Sequence, residues 1–175
     1  MFEKATCKVG RRFRGESVHK VDAKGRVSIP APFRRVLEEG DPDWSPGKNP
    51  TFVIIYGDKK QAFLRGYSIE GADALDDKVA KLGDFDPERR ILERMLNAQS
   101  VYASVDENGR IVLSQKLREK AGIAKEATFA GMGDKFEIWN PDRYEDDMEA
   151  LQSDLDGRDE ASNPFMLMDR VAREG

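Results

Sequence analysis

The residues with the clearest chemical potential are the cations near the N-terminus. Residues 1–35 hold ten lysines and arginines against three acids, a local balance of +7. The whole chain has a net charge of −4, and residues 142–175 alone contribute −7. Charges act over about 10 Å at physiological salt, so a local excess matters more to a partner than the global sum. The basic segment is therefore a candidate face for a polyanion such as nucleic acid. A solvated charged surface is the plainer alternative.

The centre of this basic segment is one half of an internal repeat. Val21-Asp22-Ala23-Lys24-Gly25-Arg26 returns 84 residues later as Val105-Asp106-Glu107-Asn108-Gly109-Arg110, and an apolar-rich strand follows each copy. An Asp side chain accepts hydrogen bonds from the amides that follow it, and Gly permits a positive φ, so each copy predicts a tight turn. We interpret four residues as shaping the two turns: Asp22, Gly25, Asp106 and Gly109.

The two copies differ in charge, which predicts different roles. Candidate binding residues gather in and around the first copy: Arg26, Lys24, Lys20, Arg34, Arg35 and Arg14. The second copy has neutral and acidic neighbours, so Arg110 and Arg118 are secondary candidates. Each turn arginine could instead pair with the Asp of its own turn. We favour that pairing more at Arg110, because Lys24 and Arg35 surround Arg26 with positive charge. The first copy is thus predicted to bind and the second to complete the core.

The repeat also predicts the elements that position these turns. Each half is expected to contain a β-turn-β unit, a short helix and, later, a second β-turn-β unit. In the first half the strands are predicted at 16–21, 27–29, 51–56 and 61–65, with the helix at 31–39. In the second half the last hairpin is predicted at 128–132 and 136–139. One such half buries too little surface to stand alone.

The predicted fold class is therefore mainly β with helices (α+β). Two tandem hairpin halves are expected to exchange strands and close one swapped β-barrel with an approximate two-fold axis. A helical insert and a C-terminal helix complete the fold. The predicted organisation is a flexible N-terminal arm (1–12), a first repeat (13–66), the helical insert (67–99), a second repeat (100–140), and an acidic C-terminal helix and tail (141–175).

The insert and the tail contain recognisable helix signals. Residues 68–82 predict one helix, and Asp86-Pro87-Glu88 opens another, with Asp as N-cap and Pro at the first helical position. A last helix is predicted from Pro141 to about Leu151. The tail beyond it is acidic and is expected to be mostly solvated, with one apolar cluster at 165–168 that could dock elsewhere.

Composition excludes several kinds of site. Cys7 is the only cysteine and His19 the only histidine. The chain therefore has no intramolecular disulfide, no Cys/His zinc site of its own and no histidine pair for a proton relay. No cofactor or metal is expected. No apolar run approaches the roughly 18 residues of a transmembrane helix, and the N-terminus lacks the apolar region of a secretory signal. A reducing cytoplasm is the default compartment.

An enzyme and a protein-interaction scaffold are the alternative functional classes. For an enzyme, no nucleophile–base pair or phosphate loop is visible. Gly131-x-Gly133 follows a strand but is not G-x-G-x-x-G, so a hairpin turn is the better interpretation. We predict that the chain is not an enzyme. The remaining alternative is an oligomeric protein-interaction scaffold, whose contacts would be the acidic tail and the helical insert.

The repeat resembles a known type of DNA-binding unit. Residues 20–30, followed by Phe33-Arg34-Arg35, are similar to the AbrB-type (SpoVT-AbrB) half-barrel. Two copies in one chain, separated by a segment with Asp86-Pro87-Glu88-Arg89-Arg90, resemble the MraZ family. The resemblance covers roughly residues 13–145. Phe13-Arg14-Gly15 is similar to the usual start of that family, which makes residues 1–12 an extension or a matter of start-codon choice.

This resemblance implies a cytoplasmic, nucleoid-associated transcriptional regulator. It implies repression of the division and cell-wall gene cluster and of the chain's own gene. The partner would be double-stranded DNA with short direct repeats in the promoter, bound by a homo-oligomeric ring. The positions that match the DNA-contacting arginines of AbrB-type relatives are Arg26, Arg34 and Arg35, and Lys20 and Lys24 flank the same turn. Arg110 and Arg118 match the pattern in the second copy.

Overall fold

A computed structural model of the chain describes residues 12–175. The predicted flexible arm, apart from Arg12, lies outside the described residues, and so does Cys7. The chain divides into two compact units, with the boundary between Asn140 and Pro141. Every strand named below belongs to the first unit, and the second is helical.

The elements of the first unit follow the two repeats. The strands are β1 (Glu16–Lys20), β2 (Arg26–Ser28), β3 (Thr51–Ile55), β4 (Phe63–Ser68), β5 (Ser100–Ser104), β6 (Arg110–Val112), β7 (Glu126–Gly131) and β8 (Phe136–Trp139). The helices are α1 (Ala31–Glu39), α2 (Ile69–Ala80), α3 (Pro87–Glu93), which continues into a π-helical turn (Arg94–Ala98), and α4 (Gln115–Ala121). The bounds of α1 agree with the predicted 31–39.

The strand order shows the internal symmetry directly. Six strands form an antiparallel sheet in the order β1-β7-β8-β4-β3-β5, and β2 pairs with β6 in a separate two-stranded ribbon. If each strand is exchanged with its counterpart four strands away, the order is simply reversed. The two halves are therefore related by an approximate two-fold axis. Because β1 pairs with β7 and β5 with β3, the predicted strand exchange between the halves is confirmed.

The α+β class is confirmed, but two details of the predicted β structure are wrong. Within the described residues the six-stranded sheet has β1 and β5 as its edges, so it is not a closed barrel. The three-residue ribbon of β2 and β6 is a separate sheet that shares no ladder with either edge strand. The two strands around each Val-Asp-x-x-Gly-Arg turn also do not form a local hairpin. At the first turn they meet at an isolated bridge between Val21 and Val27, while β2 pairs with β6 of the other half.

The core explains why the ribbon is held in place. The central pair of the ribbon, Val27 and Ile111, is buried. Phe13, Phe33 and Phe136 form a ring cluster in the same core, with centroid separations between 5.1 and 5.4 Å. Such aromatic pairs contribute about 1 kcal/mol each beyond simple burial. Helix α1 contributes the buried Phe33 to this core and therefore fixes the segment that follows β2.

Each of the first two insert helices begins with a side-chain cap, and the one at Asp86 was predicted from the sequence. The Ser68 hydroxyl accepts a hydrogen bond from the Gly71 amide (3.0 Å) at the start of α2. The Asp86 carboxylate accepts one from the Glu88 amide (2.9 Å) at the start of α3. Among residues 12–175, no helix is long and apolar enough to cross a membrane.

The second unit contains more helix than the sequence predicts. It consists of α5 (Pro141–Asp156), a 3₁₀ turn (Asp159–Ser162) and α6 (Met166–Glu174). Helix α5 extends five residues past the predicted end. The segment expected to be a solvated tail forms α6, although its apolar residues Phe165, Met168 and Val171 are exposed.

The two turn glycines provide a matched test of this packing. Gly25 has φ +81° and Gly109 has φ +73°. A Cβ at Gly25 would clash with the Leu113 carbonyl oxygen, whereas the nearest atom to a Cβ at Gly109 is the Arg34 Nη1 at 3.7 Å. We expect Gly109→Ala to lower the free energy of unfolding by about 1–2 kcal/mol, the cost of a left-handed non-glycine residue. Gly25→Ala should cost about 2–4 kcal/mol, because overpacking adds to that strain.

Urea denaturation of both variants and the unmutated chain measures the difference. Equal losses would contradict the close contact between Gly25 of the first turn and Leu113, the residue that follows β6.

Candidate nucleic-acid interface

The two Val-Asp-x-x-Gly-Arg turns have the same local geometry. Asp22 Oδ1 accepts hydrogen bonds from the amides of Lys24 and Arg26, both at 2.9 Å. Asp106 Oδ1 accepts the equivalent bonds from Asn108 (2.8 Å) and Arg110 (2.9 Å). Each Asp side chain thus replaces backbone partners that a tight turn cannot supply. The copies are therefore structural equivalents despite their different charge.

These hydrogen bonds change the acidity of both carboxyl groups. The amide of Arg26 is the largest cause that lowers the pKa of Asp22 below its ordinary value. The amide of Arg110 does the same to the pKa of Asp106. A carboxylate that accepts backbone N–H bonds is favoured in its charged form, so both turns are tightest when their aspartates are ionised.

Each turn arginine also pairs with the Asp of its own turn. Arg26 Nε lies 2.6 Å from Asp22 Oδ2, and Arg110 Nε lies 3.6 Å from Asp106 Oδ2. The sequence favoured the ion pair at Arg110 over the one at Arg26. In the structure the pair at Arg26 is the shorter of the two. The Nε of Arg110 is buried and has no hydrogen-bond partner among the described residues. A guanidinium has five N–H donors. An ion pair made through Nε therefore orients the side chain and leaves the donors on the two Nη atoms for other partners.

The ribbon places both arginines on one outward surface. Its register sets Arg26 opposite Val112, Val27 opposite Ile111, and Ser28 opposite Arg110. Directly opposed residues share a face of a β-ribbon, and alternate residues do too. Because the central pair is buried, the outer face consists of Arg26, Ser28, Arg110 and Val112. The two arginines are diagonal neighbours, which in antiparallel strands are roughly 7–8 Å apart. We call these four residues the ribbon face.

The arginines that follow the ribbon are exchanged between the halves. A Cβ on Gly25 would lie 3.2 Å from the Nε of Arg118, and Arg34 approaches Gly109. Arg118, which belongs to the second half, therefore lies beside the first turn. Arg34, which belongs to the first half, lies beside the second turn. The sequence analysis predicted Arg34 beside the first turn, and this prediction was wrong. Strand exchange is the reason, since the helix after each strand is carried to the turn of the other half.

Backbone bonds lock this exchange. The Leu113 amide donates to the Gly25 carbonyl (2.8 Å), and the Ile29 amide donates to the Gly109 carbonyl (2.9 Å). Arg34 Nε also pairs with Glu38 at 3.0 Å, which holds its side chain against α1. Each turn is thus completed by residues from both halves.

The remaining predicted cations are spread more widely. Lys24 is exposed in the first turn, and Arg35 is exposed on α1. Lys20 ends β1 directly opposite Glu126 of β7. Arg14 precedes β1, and a five-residue strand spans about 14 Å, so the structure does not bring Arg14 to the turn.

One cation near the first turn was missed. The Val21 amide donates to the Lys125 carbonyl oxygen at 2.8 Å, and the equivalent bond of the second turn runs from Val105 to Pro50. Lys125 thus stands beside the first turn where a proline stands beside the second. It belongs to the second half in sequence, so only knowledge of the strand exchange could have pointed to it. The charge difference between the two turns therefore persists although Arg34 and Arg118 change places.

No group of three or more His, Cys, Asp or Glu side chains suited to a metal ion occurs in residues 12–175. The interface is accordingly built from cations, a hydroxyl and an apolar side chain.

Comparison with known proteins identifies the family. A family described as "MraZ protein, putative antitoxin-like" matches residues 96–163. A protein named Transcriptional regulator MraZ from Ruegeria pomeroyi is 50% identical over 162 residues, covering 92% of this chain and 97% of its own length. The chain belongs to the MraZ family. A more distant MraZ, from Chlorobaculum tepidum, is 36% identical over 136 residues and covers 76% of this chain and 86% of its own length. The resemblance inferred from the repeated motif is thereby confirmed.

The turn aspartates of this MraZ-family chain predict a specific acid response. Their folded-state pKa values lie below the ordinary value, so they add stability above the unfolded pKa, and this stability is lost as the pH falls through the folded pKa. We expect the melting temperature to fall as the pH drops from about 5 to about 2. The double variant Asp22→Asn/Asp106→Asn should show a smaller fall in melting temperature. The Asn side chain keeps an oxygen that can accept hydrogen bonds from the backbone amides of the turn, but it does not titrate.

Thermal melts followed by circular dichroism over this pH range compare the two proteins. An identical pH dependence would show that the acid response comes from other carboxyl groups.

Proposed function

We propose that the chain is a DNA-binding transcriptional regulator without a catalytic role, and that the ribbon face is its DNA-reading surface. The observation that carries the proposal is the pair of outward arginines, Arg26 and Arg110, on a narrow two-stranded ribbon. Their geometry agrees with the size of the target. The major groove is about 12 Å wide and admits a two-stranded β-ribbon. An arginine there can donate two hydrogen bonds to the O6 and N7 of guanine.

The surrounding cations suit a separate role on the phosphates. Lys24 and Lys125 are exposed close to the first turn, and Lys20 ends the neighbouring strand. Contacts of this kind supply affinity and fix orientation but do not read sequence. Arg118 and Arg34 lie under the turns and are proposed to position them. Arg35 and Arg14 remain proposed outer contacts.

A single ribbon gives few base contacts, so assembly is part of the proposal. A ring of identical subunits could engage consecutive direct repeats. The resulting avidity, a gain in affinity of roughly 10²–10⁴, would compensate for the few base contacts that each subunit makes. Large apolar side chains available for such contacts in the first unit include Phe85, Ile91 and Tyr102, all exposed. In keeping with the family, we propose a cytoplasmic, nucleoid-associated repressor of the division and cell-wall gene cluster and of its own gene.

Removing either ribbon arginine should weaken specific binding. We expect Arg26→Ala and Arg110→Ala each to reduce affinity for the chain's own upstream region by about 5- to 150-fold, the range for one good arginine–guanine contact. Lys24→Ala should weaken binding to specific and scrambled duplexes alike and reduce the salt slope by about 1. Fluorescence anisotropy at low and physiological salt measures both effects. Arg90→Ala, which removes an exposed arginine from α3, is the matched control.

Full affinity in both ribbon variants would refute the proposed reading surface. Absence of sequence-specific binding by the unmutated protein would favour the scaffold alternative.

A further inference from the structure

The ribbon face is symmetric in its arginines but not in its other two residues. The two-fold axis relates Arg26 to Arg110 and the buried Val27 to Ile111, and it relates Ser28 to Val112. A hydroxyl therefore stands opposite Arg110, whereas an isopropyl group stands opposite Arg26. Val112 is 59% exposed. A single exposed apolar residue is ordinary on a protein surface, but this one neighbours both groups proposed to read bases, because it lies opposite Arg26 and two residues along β6 from Arg110.

We infer that Val112 is a specificity-determining residue that packs against the C5-methyl group of a thymine. The inference rests on the proposed function of the ribbon face. Within the major groove, thymine is the base that presents a methyl group, and apolar side chains are its usual contacts. Contact with that methyl would remove the exposed Val112 side chain from water, and apolar burial of this kind is favourable. Ser28 at the equivalent place can hydrogen-bond to more than one base and selects less strongly.

The register also fixes where that thymine must lie. Directly opposed residues of an antiparallel ribbon have Cβ atoms about 4.5–5.5 Å apart. Successive base pairs are about 3.4 Å apart along the helix axis. When the cross-strand direction of the ribbon runs along the groove and Arg26 reads a guanine, Val112 reaches the adjacent base pair. The motif should contain a guanine beside a thymine-bearing base pair at the Arg26 end, with no matching thymine preference at the Arg110 end.

This asymmetry means that the ribbon face should bind its DNA motif in one orientation only. A ribbon with two identical ends would read a motif and its inverted complement equally well. With valine at one end and serine at the other, only one orientation satisfies both ends. A directional reader is what direct repeats require, because every site in such an array points the same way.

Selection from a pool of random DNA duplexes tests the inference with the full-length chain. The unmutated protein should enrich an asymmetric motif with a thymine next to a guanine. Replacing that thymine by deoxyuridine removes only the methyl group and should weaken binding about 3- to 5-fold, as expected for one buried methyl. Val112→Ser should be insensitive to this replacement. The exchange variant Ser28→Val/Val112→Ser should move the thymine preference to the other end of the motif.

The outcomes separate this inference from the proposed function. An unmutated protein that enriches no motif would overturn both. A protein that enriches a motif needing Arg26, but whose preference is unaffected by deoxyuridine and by the exchange variant, would overturn the role of Val112 and leave the ribbon face as the reader. Both exchanged positions are exposed, and circular dichroism verifies that the variants remain folded.

Discussion

The pairing of β2 with β6 is the interaction on which the rest of the structure depends. It joins three residues of each half, buries Val27 against the core together with Ile111, and sets the register of the outer face. The two reciprocal backbone bonds, from Leu113 to Gly25 and from Ile29 to Gly109, extend the pairing into the turns. Each turn is therefore held by the opposite half. Neither half could present its arginine in this way alone, because the partner strand and the supporting helix both come from the other repeat.

Local sequence patterns were sufficient for the local structure. The helix at 31–39, the Asp86 cap and the two late hairpins follow from capping, turn chemistry and alternation over a few residues, and all are present. Strand pairing across the repeats was predicted only in outline. The partner of β1 is more than a hundred residues away in β7, and no local signal distinguishes it from the adjacent strand. A hairpin across the first turn was for that reason a natural but wrong prediction.

The errors at the candidate site have the same origin. Arg34 follows the first turn in sequence but lies against the second, and Lys125, far away in sequence, lies beside the first. Counting charges along the chain could not reveal either placement, because strand exchange carries elements across the two-fold axis. The ion pair at Arg26 shows a related limit. Neighbouring positive charge in the sequence argued against it, but Asp22 Oδ2 lies 2.6 Å from the arginine and outweighs cations that project into solvent.

Fusing two copies of a half-fold has a consequence that a dimer of identical halves cannot have. In a symmetric dimer, every difference between the two ends of the ribbon is forbidden, since one gene specifies both. In a tandem chain the two ends can change separately, and here they have: Ser28 corresponds to Val112, Lys125 corresponds to Pro50, and Ala23-Lys24 corresponds to Glu107-Asn108. The arginines and the buried pair, which the packing needs at both ends, have kept their character. Apart from the buried Pro50, the positions that differ touch solvent, and on the ribbon face they are also the positions that would meet a partner. For the DNA-reading role proposed above, a symmetric scaffold with asymmetric outer residues would be a direct route from a palindromic reader to a directional one.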